Sequence, residues 1–403
     1  MQQTLTSHAA GSYSFVSTAP TQQKRLLIMT DWFCPGYKAG GMISSCYNLA
    51  MLLKDEFSIY ILTTDRDLGN ERPYENITPN EWVTYCNNVS IFYTSPEITG
   101  IRNALTQIRH VSPDYIYMNS MYSLHFTLHP LLLKKLRLIK TPIFLSPSGM
   151  LKSNALEQKS IKKKGFLKLF RLLKIQSTFT FHAVDETEAN EIRAVFGQQV
   201  RISQVYNAPP ELEENITFPV KEKDNLKLVF TGRIHPMKNL HFLMECLAQI
   251  EQRVELTVVG PIEDMTYYNK CKEISDKLPA NISVTFAGGM PATRLKAYLR
   301  EHHFLALPSL GENFGYSIVE ALCTGRPALI SNRTPWQDLA TQKAGWNVPI
   351  DNYDHFVAIL NRAAAMGQSE YNEWACAAQS YARRLLQPAE CKTAYINLFD
   401  SRQ

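Results

Sequence analysis

Residues 226–259 read LKLVFTGRIHPMKNLHFLMECLAQIEQRVELTVV. Two short apolar, β-branched runs, Leu226–Thr231 and Val254–Val259, enclose a loop and an amphipathic helix pattern. Strands separated by helices of about ten or more residues argue for a parallel sheet with crossover helices. The alternation continues downstream through Ile282–Phe286, His303–Leu307 and Pro327–Ile330. Upstream it recurs in Arg25–Thr30, Ser58–Thr64, Val89–Tyr93, Tyr115–Met118 and Pro142–Ser146, with helix patterns over Arg102–His110 and Leu124–Lys135. The fold class is therefore α/β with parallel sheets, in two halves of similar size. The Pro-rich stretch Asn207-Ala208-Pro209-Pro210 is the best linker between them. The expected division is a loose leader 1–23, an N-terminal domain 24–206, a C-terminal domain 207–387 and a last helix within 388–403. Ligands of open α/β sheets bind outside the carboxyl ends of the strands, so facing halves place a site in the cleft between them.

The 403 residues suffice for two or three domains with real cores. The 45% hydrophobic fraction excludes wholesale disorder. No run approaches the roughly 18 apolar residues of a membrane span. The first 23 residues lack the charged start and apolar core of a signal peptide. Eight scattered cysteines without a CxxC pair read as reduced cytosolic thiols rather than a disulfide framework or zinc site. The net charge of +5 is mild, and no nucleic-acid-binding module pattern is present, so no nucleic-acid partner is expected. The segment Leu151–Lys174 holds eight basic residues against one acid, Glu157, with Phe166, Leu169, Phe170 and Leu173 at helical spacing. Two readings stand: a basic amphipathic helix on an anionic membrane surface, or a solvated face with its apolar stripe in the core.

Three loops carry chemistry. Pro35-Gly36-Tyr37-Lys38-Ala39-Gly40-Gly41 follows the first strand, where paired glycines allow close backbone approach and a helix start favours an anion. In Thr231–Leu240, Arg233 and Lys238 flank a strand-to-helix turn and can grip phosphate by fork and by point charge. In Leu307–Leu322, Glu312 lies in a glycine-bounded loop and Glu320 about one turn into a helix. Two such carboxylates can accept from hydroxyls at both ends of one ligand. Asp65-Arg66-Asp67 has the D-x-D form that holds a divalent ion in another large transferase fold, and a structural loop is the competing reading.

Arg233/Lys238 followed by Glu312-x7-Glu320 resembles the donor-site signature of the retaining nucleotide-sugar glycosyltransferases of family 4, which have the GT-B fold of two Rossmann-like domains. Matching segments run from PGYKAGG (35–41) through TTDRDLG (63–69), SPSGMLKSNALEQKSIKKK (146–164), FHAVDETEANEIRAVFG (181–197), TGRIHPMKNL (231–240) and GENFGYSIVEAL (311–322) to SNRTPWQDL (331–339). The match resembles a bacterial polysaccharide-assembly branch.

The resemblance implies a metal-independent, hexosyltransferase-type enzyme with a UDP- or GDP-linked sugar as donor substrate and no cofactor. The acceptor would be a glycan or lipid-linked oligosaccharide. The location would be cytoplasmic, at most peripheral on the inner face of the membrane. Glu312, Arg233 and Lys238 would be catalytic. Gly40, Gly41, Gly288, Met290, Asn313, Phe314, Gly315 and Glu320 would complete the donor site, with Glu320 on the ribose and the Phe286–Met290 loop against the base. The last helix would return to the first domain. One departure is clear: Ser148 stands where the branch usually has arginine, and no catalytic histidine carries over. His125 and His129 read as surface or packing residues, and Trp336 as a packing residue beneath the donor site. Two other readings remain: a metal-dependent transferase using Asp65 and Asp67, and a non-catalytic nucleotide-sugar-binding subunit.

Overall fold

A computed structural model describes residues 23–152, 160–212, 214–215 and 217–400. The leader and the 153–159 part of the basic segment lie outside the described residues.

The first sheet contains β1 (Lys24–Met29), β2 (Phe57–Thr64), β3 (Trp82–Cys86), β4 (Val89–Thr94), β5 (Tyr115–Met118), β6 (Ile143–Leu145), β7 (Thr180–Ala183) and β8 (Ile202–Gln204). Its spatial order is β3-β4-β2-β1-β5-β6-β7-β8. Every pairing is parallel except that of β3 with β4. The central strand β1 pairs Leu26–Met29 with both Ile59–Leu62 and Tyr115–Met118, and these four residues are essentially inaccessible. Burial on both faces explains why such strands read as continuous apolar runs.

Helices α1 (Gly41–Leu53), α2 (Ile101–Val111), α3 (His129–Lys135), α4 (Ser160–Leu172) and α5 (Glu186–Phe196) cover this sheet. The helix expected over Leu124–Lys135 is split into a π-helical turn at Leu124–Leu128 and α3. Ser123 accepts from the Phe126 N–H at its start, and Pro130 stands at the start of α3, where its missing N–H costs nothing.

The second sheet holds β9 (Asn225–Thr231), β10 (Arg253–Val259), β11 (Ile282–Gly288), β12 (Phe304–Leu307), β13 (Ala328–Ser331) and β14 (Gly345–Val348), all parallel, in the order β11-β10-β9-β12-β13-β14. Around it lie α6 (Leu240–Leu247), α7 (Met265–Ser275), α8 (Ala292–Glu301), α9 (Tyr316–Cys323), α10 (Tyr353–Ala365) and α11 (Gln368–Leu386). Its core includes an inaccessible arginine. Arg326 donates to the carbonyls of Leu299, Thr217 and Arg300 and to the Tyr371 hydroxyl, so its charge is buried with partners.

The Pro-rich stretch does not run over the surface: Asn207, Ala208, Pro209 and Pro210 are buried. Helix α12 (Pro388–Asp400) then packs on the first sheet. Its Phe399 ring sits 5.2 Å from Phe144, 5.5 Å from Tyr115 and 5.7 Å from Phe57. Asp400 accepts from Lys24 at 2.6 Å and Tyr115 at 2.7 Å. Nearby, the buried His182 is fixed by the Tyr117 hydroxyl at 2.9 Å and the Val205 carbonyl at 2.7 Å, and burial pushes its pKa down to about 4. It is a neutral core histidine.

Each sheet reverses its strand order once, between β1 and β5 in the first and between β9 and β12 in the second. Crevices form at such switch points because the loops leaving the two central strands diverge.

Candidate functional site

The β9/β12 switch point gathers the predicted donor residues. Arg233 follows the end of β9, and Lys238 ends a short 3-10 turn, Pro236–Lys238. Asn239 adopts a left-handed conformation at φ 57° and starts α6. Glu312 lies in the loop after β12, and its carboxylate accepts from Lys238 Nζ at 2.6 Å. These side chains are only 18% and 10% exposed, so the pair is shielded from solvent screening. Arg233 pairs with Glu263 at 2.6 Å in a more open setting. Glu263 was given no role from sequence, although the stretch GPIEDMTYY (260–268) that holds it is one of the segments matching the family pattern.

Glu320 projects from α9 and accepts from Ser44 of α1 at 3.4 Å, across the cleft. Burial pushes the Glu320 carboxyl up to about 7, against the opposing pull of Ser44 and Lys296. The helix itself starts at Gly315, whose φ of 80° is left-handed; a Cβ there would stand 2.9 Å from the Ile318 Cδ1. Phe314 packs 4.8 Å from Tyr316 and 5.8 Å from Trp336, whose indole N–H donates to the Phe314 carbonyl at 2.7 Å. Trp336 is thus a packing support beneath the loop, as its sequence context suggested.

The glycines expected at the cleft bring backbones together. Gly288 accepts at its carbonyl from the Gly260 N–H at 3.0 Å, and the Gly232 N–H donates to the Val259 carbonyl at 3.0 Å. A Cβ on Gly260 would lie 1.8 Å from the Gly232 carbonyl oxygen, so only glycine fits where β9 and β10 end. Met290, proposed for the base, is buried in the C-terminal core.

From the first sheet, Gly40 precedes α1 and Gly41 opens it, facing the Tyr316 ring. Tyr37 meets Gly289, and Gly149 meets Asn313. The two domains therefore touch around the candidate site through the same loops singled out by sequence. The Gly149 loop is clamped by a residue that sequence reasoning passed over. Glu188 of α5 accepts from the Gly149 N–H at 2.6 Å and the Val184 N–H at 2.9 Å. Ser148, in place of the usual arginine, donates to Asn119 Oδ1 at 2.6 Å and stands 3.2 Å from Ser146 Oγ.

Asp65 and Asp67 do not present a joint cation site. Asp65 is buried and ion-paired with Arg66 at 2.7 Å. Asp67 accepts from the backbone N–H groups of Tyr37 at 2.9 Å, Lys38 at 3.1 Å and Leu68 at 2.8 Å. This carboxylate shapes the glycine loop, which is the structural reading of D-x-D. Among the described residues no group of three or more metal-binding side chains converges. His125 and His129 are half-buried and pack ring to ring at 5.2 Å.

In the basic segment, α4 uses two apolar faces. Leu167 and Phe170 are buried, whereas Leu169 and Leu172 are exposed beside Lys168 and Arg171. Lys159, Lys162 and Lys164 lie outside the described side chains. No described helix is long and apolar enough to cross a membrane.

Residues 213–380 match the family model described as glycosyl transferases group 1. The chain is 23% identical over 163 residues to an uncharacterized glycosyltransferase of Methanocaldococcus jannaschii, covering 37% of this chain and 41% of that protein. It is 26% identical over 161 residues to the O-antigen chain mannosyltransferase RfbU of Salmonella typhimurium, covering 40% and 44%. The chain thus spans about two fifths of the length of these curated relatives. Among solved structures it resembles sucrose-phosphate synthase from Thermosynechococcus elongatus, with TM-score 0.68, 14% identity and coverage of 94% and 100%. It also resembles HepE of Anabaena in complex with UDP-glucose, with TM-score 0.65, 15% identity and the same coverage. The fold is GT-B.

Proposed function

We propose that the protein is a retaining, metal-independent glycosyltransferase of the family 4 type, moving a hexose from a UDP- or GDP-linked donor to a hydroxyl of a glycan or lipid-linked acceptor in cell-surface polysaccharide synthesis. The carrying observation is the convergence of Arg233, Lys238, Glu312 and Glu320 at one switch point under the facing loops of the other domain.

The chemistry follows from charge. Arg233 and Lys238 hold the diphosphate, exchanging Glu263 and Glu312 for phosphate oxygens. Glu320 accepts from the ribose hydroxyls, and Glu312, displaced from Lys238, accepts from the sugar hydroxyls. The acceptor oxygen bonds the anomeric carbon as the bond from that carbon to the phosphate oxygen breaks. The electron pair goes to the diphosphate, which takes the acceptor's proton on the same face. The products are the glycoside and the nucleoside diphosphate. Two fixed cations near the leaving oxygen stabilise its developing charge without reorganising, which is where most of the acceleration in such sites arises. No cofactor is required. The enzyme works in the cytoplasm. The exposed Leu169 and Leu172 beside Lys168 and Arg171 favour peripheral contact of residues 151–174 with the anionic inner face of the membrane. Neutralising Lys162–Lys164 then weakens binding to anionic liposomes.

A thermal-shift screen with UDP-, GDP-, ADP- and dTDP-sugars tests the donor reading, because a ligand that binds only the native state raises its melting temperature. One nucleotide series raises the midpoint in the wild type but not in Arg233→Ala or Glu320→Ala. Turnover of the selected donor survives EDTA. A flat response to all four series overturns the reading; dependence of turnover on added Mn²⁺ overturns its metal independence.

A further inference from the structure

Strand β6 ends at Leu145, and the turn after it carries Ser148 at φ 52° and Gly149 at φ 77°. Both residues are left-handed, a conformation that side chains disfavour and that persists only where the surroundings hold it. The turn is placed against the other domain. A Cβ on Gly149 would lie 3.0 Å from Asn313 Cγ and 3.1 Å from its Oδ1, so bare backbone meets the donor loop one residue from Glu312. The next residue, Met150, lines the crevice of about 430 Å³ at the β1/β5 switch point, beside Asp31, Tyr122 and Lys163. One short turn thus walls both crevices.

The turn is held from two elements. Asn119, inaccessible after β5, accepts from the Ser148 hydroxyl at 2.6 Å. Its amide donates to the Met42 carbonyl at 3.2 Å, in the first turn of α1. From the other side comes Glu188, in the first turn of α5 and only 1% exposed. Its Oε1 accepts from the Gly149 N–H at 2.6 Å and its Oε2 from the Val184 N–H at 2.9 Å. The Glu188 N–H donates to Asp185, the cap of α5, at 2.7 Å, which fixes the position of the glutamate in turn. Burial pushes the Glu188 carboxyl up, and the two backbone N–H groups pull it back. A carboxylate so far from water is costly unless both oxygens are satisfied. Here both are, by backbone on either side of one turn-and-helix junction.

We propose that Glu188 is a positioning residue for sugar transfer: it holds the Ser148–Gly149 turn against Asn313 across the cleft and so sets where Glu312 stands when the domains meet. The proposal rests on the glycosyl-transfer reading and adds to it a residue of the other domain that touches no substrate. A carboxylate suits the task because it accepts on both oxygens. A glutamine of the same shape has one acceptor oxygen, so its NH₂ must face either the Gly149 or the Val184 N–H.

Hydrogen exchange on the full chain tests the clamp without any ligand. Glu188→Gln speeds exchange by about tenfold in peptides covering 146–150, the scale of one buried donor left unpaired, and also in peptides covering 311–322 of the other domain. The strands of both sheets keep their wild-type rates. Faster exchange at 146–150 alone, with 311–322 unchanged, overturns the proposal. The kinetic arm uses whichever of UDP-glucose, GDP-mannose, ADP-glucose and dTDP-glucose raises the melting midpoint, with water as acceptor and release of the nucleoside diphosphate as the signal. Glu188→Gln lowers kcat by about tenfold and leaves KM within about twofold. Gly149→Ala keeps Glu188 intact, sets a Cβ against Asn313, and gives the same split. In an Asn313→Ala background Glu188→Gln has little further effect, because the group it acts through is gone. Additive losses, or a fall in kcat that only tracks the unfolded fraction, overturn the proposal. If none of the four sugars shifts the wild type, the donor reading fails, and the exchange arm still decides the clamp.

Discussion

The two switch points occupy equivalent places in their sheets, yet their loops are furnished in opposite ways. Around the ends of β9, β10 and β12 the chain sets two cations and three carboxylates, with Glu320 the third, beside glycine-lined backbone. Lys238 and Glu312 form a shielded pair, and Arg233 and Glu263 a more open one. Between β1 and β5 it sets a single carboxylate, hydroxyls, two aromatic rings and one lysine. The strand order fixes where a crevice forms, and the loop residues decide what enters it. The charged crevice suits a diphosphate.

The sharpest way to break the comparison is to strip the charged crevice. Arg233→Ala and Glu320→Ala each lower sugar transfer by about 10²–10³-fold, the range for losing one preorganised group of an active site. A steady-state transfer assay with the donor chosen by thermal shift reads this, and retained activity in both removes the donor assignment. Lys238→Ala separates stability from function. It leaves Glu312 shielded without its partner and lowers unfolding stability by about 3 kcal/mol. Adding Glu312→Gln recovers most of that stability in chemical denaturation but does not recover transfer. Recovery of both properties would mean that the pair is structural only.

Gly260→Ala tests the backbone approach behind the charges. With the nearest contact a carbonyl at 1.8 Å, the strand ends must shift, and stability falls by about 2 kcal/mol with weaker donor binding. The pH dependence is subtler. Glu320 ionises in the folded protein only around pH 7, so donor affinity rises with pH through that range. Burial favours the protonated form. Its stabilising contribution is therefore fully present below the ordinary value of 4.5 and lost as pH rises through about 7. Isothermal titration from pH 5.5 to 8.5 shows the affinity slope in the wild type and a flat profile in Glu320→Gln; equal slopes would refute the assignment. The smallest effect belongs to Ser44→Ala, which removes one cross-cleft hydrogen bond of 3.4 Å. It changes stability by at most about 0.5 kcal/mol, the low end for a single neutral donor.

Much of the charged crevice was readable beforehand, because its residues lie in two short local motifs, 231–240 and 311–322, each spanning a strand end and the turn that follows it. The mixed crevice was not. Asp31, Ser123 and Lys163 are far apart in sequence; Lys163 stood out only as one of the eight basic residues of Leu151–Lys174, and Asp31 only as following directly on a strand pattern. Glu188 was missed for the same reason, since its partner Gly149 lies 39 residues away. Strands β3, β7, β8 and β14 escaped notice because they are short and sit at or near sheet edges, where the apolar pattern is weak. The basic segment allowed two readings, and α4 satisfies part of each, burying Phe170 while exposing Leu172.

By itself the sequence determined the alternation of strand and helix, the parallel sheets and the placing of charged residues in two short loops after strands. These depend on apolar periodicity and on residues adjacent in the chain, which local chemistry fixes. Only the tertiary structure decided that Glu320 meets Ser44, that Asp67 shapes a backbone loop and that the stretch Asn207–Pro210 is buried. It alone joined Asp31, Tyr122 and Lys163 in one pocket. Those outcomes depend on strand order and on how two sheets face each other, and a strand's order in its sheet is set by packing energies summed over the whole domain.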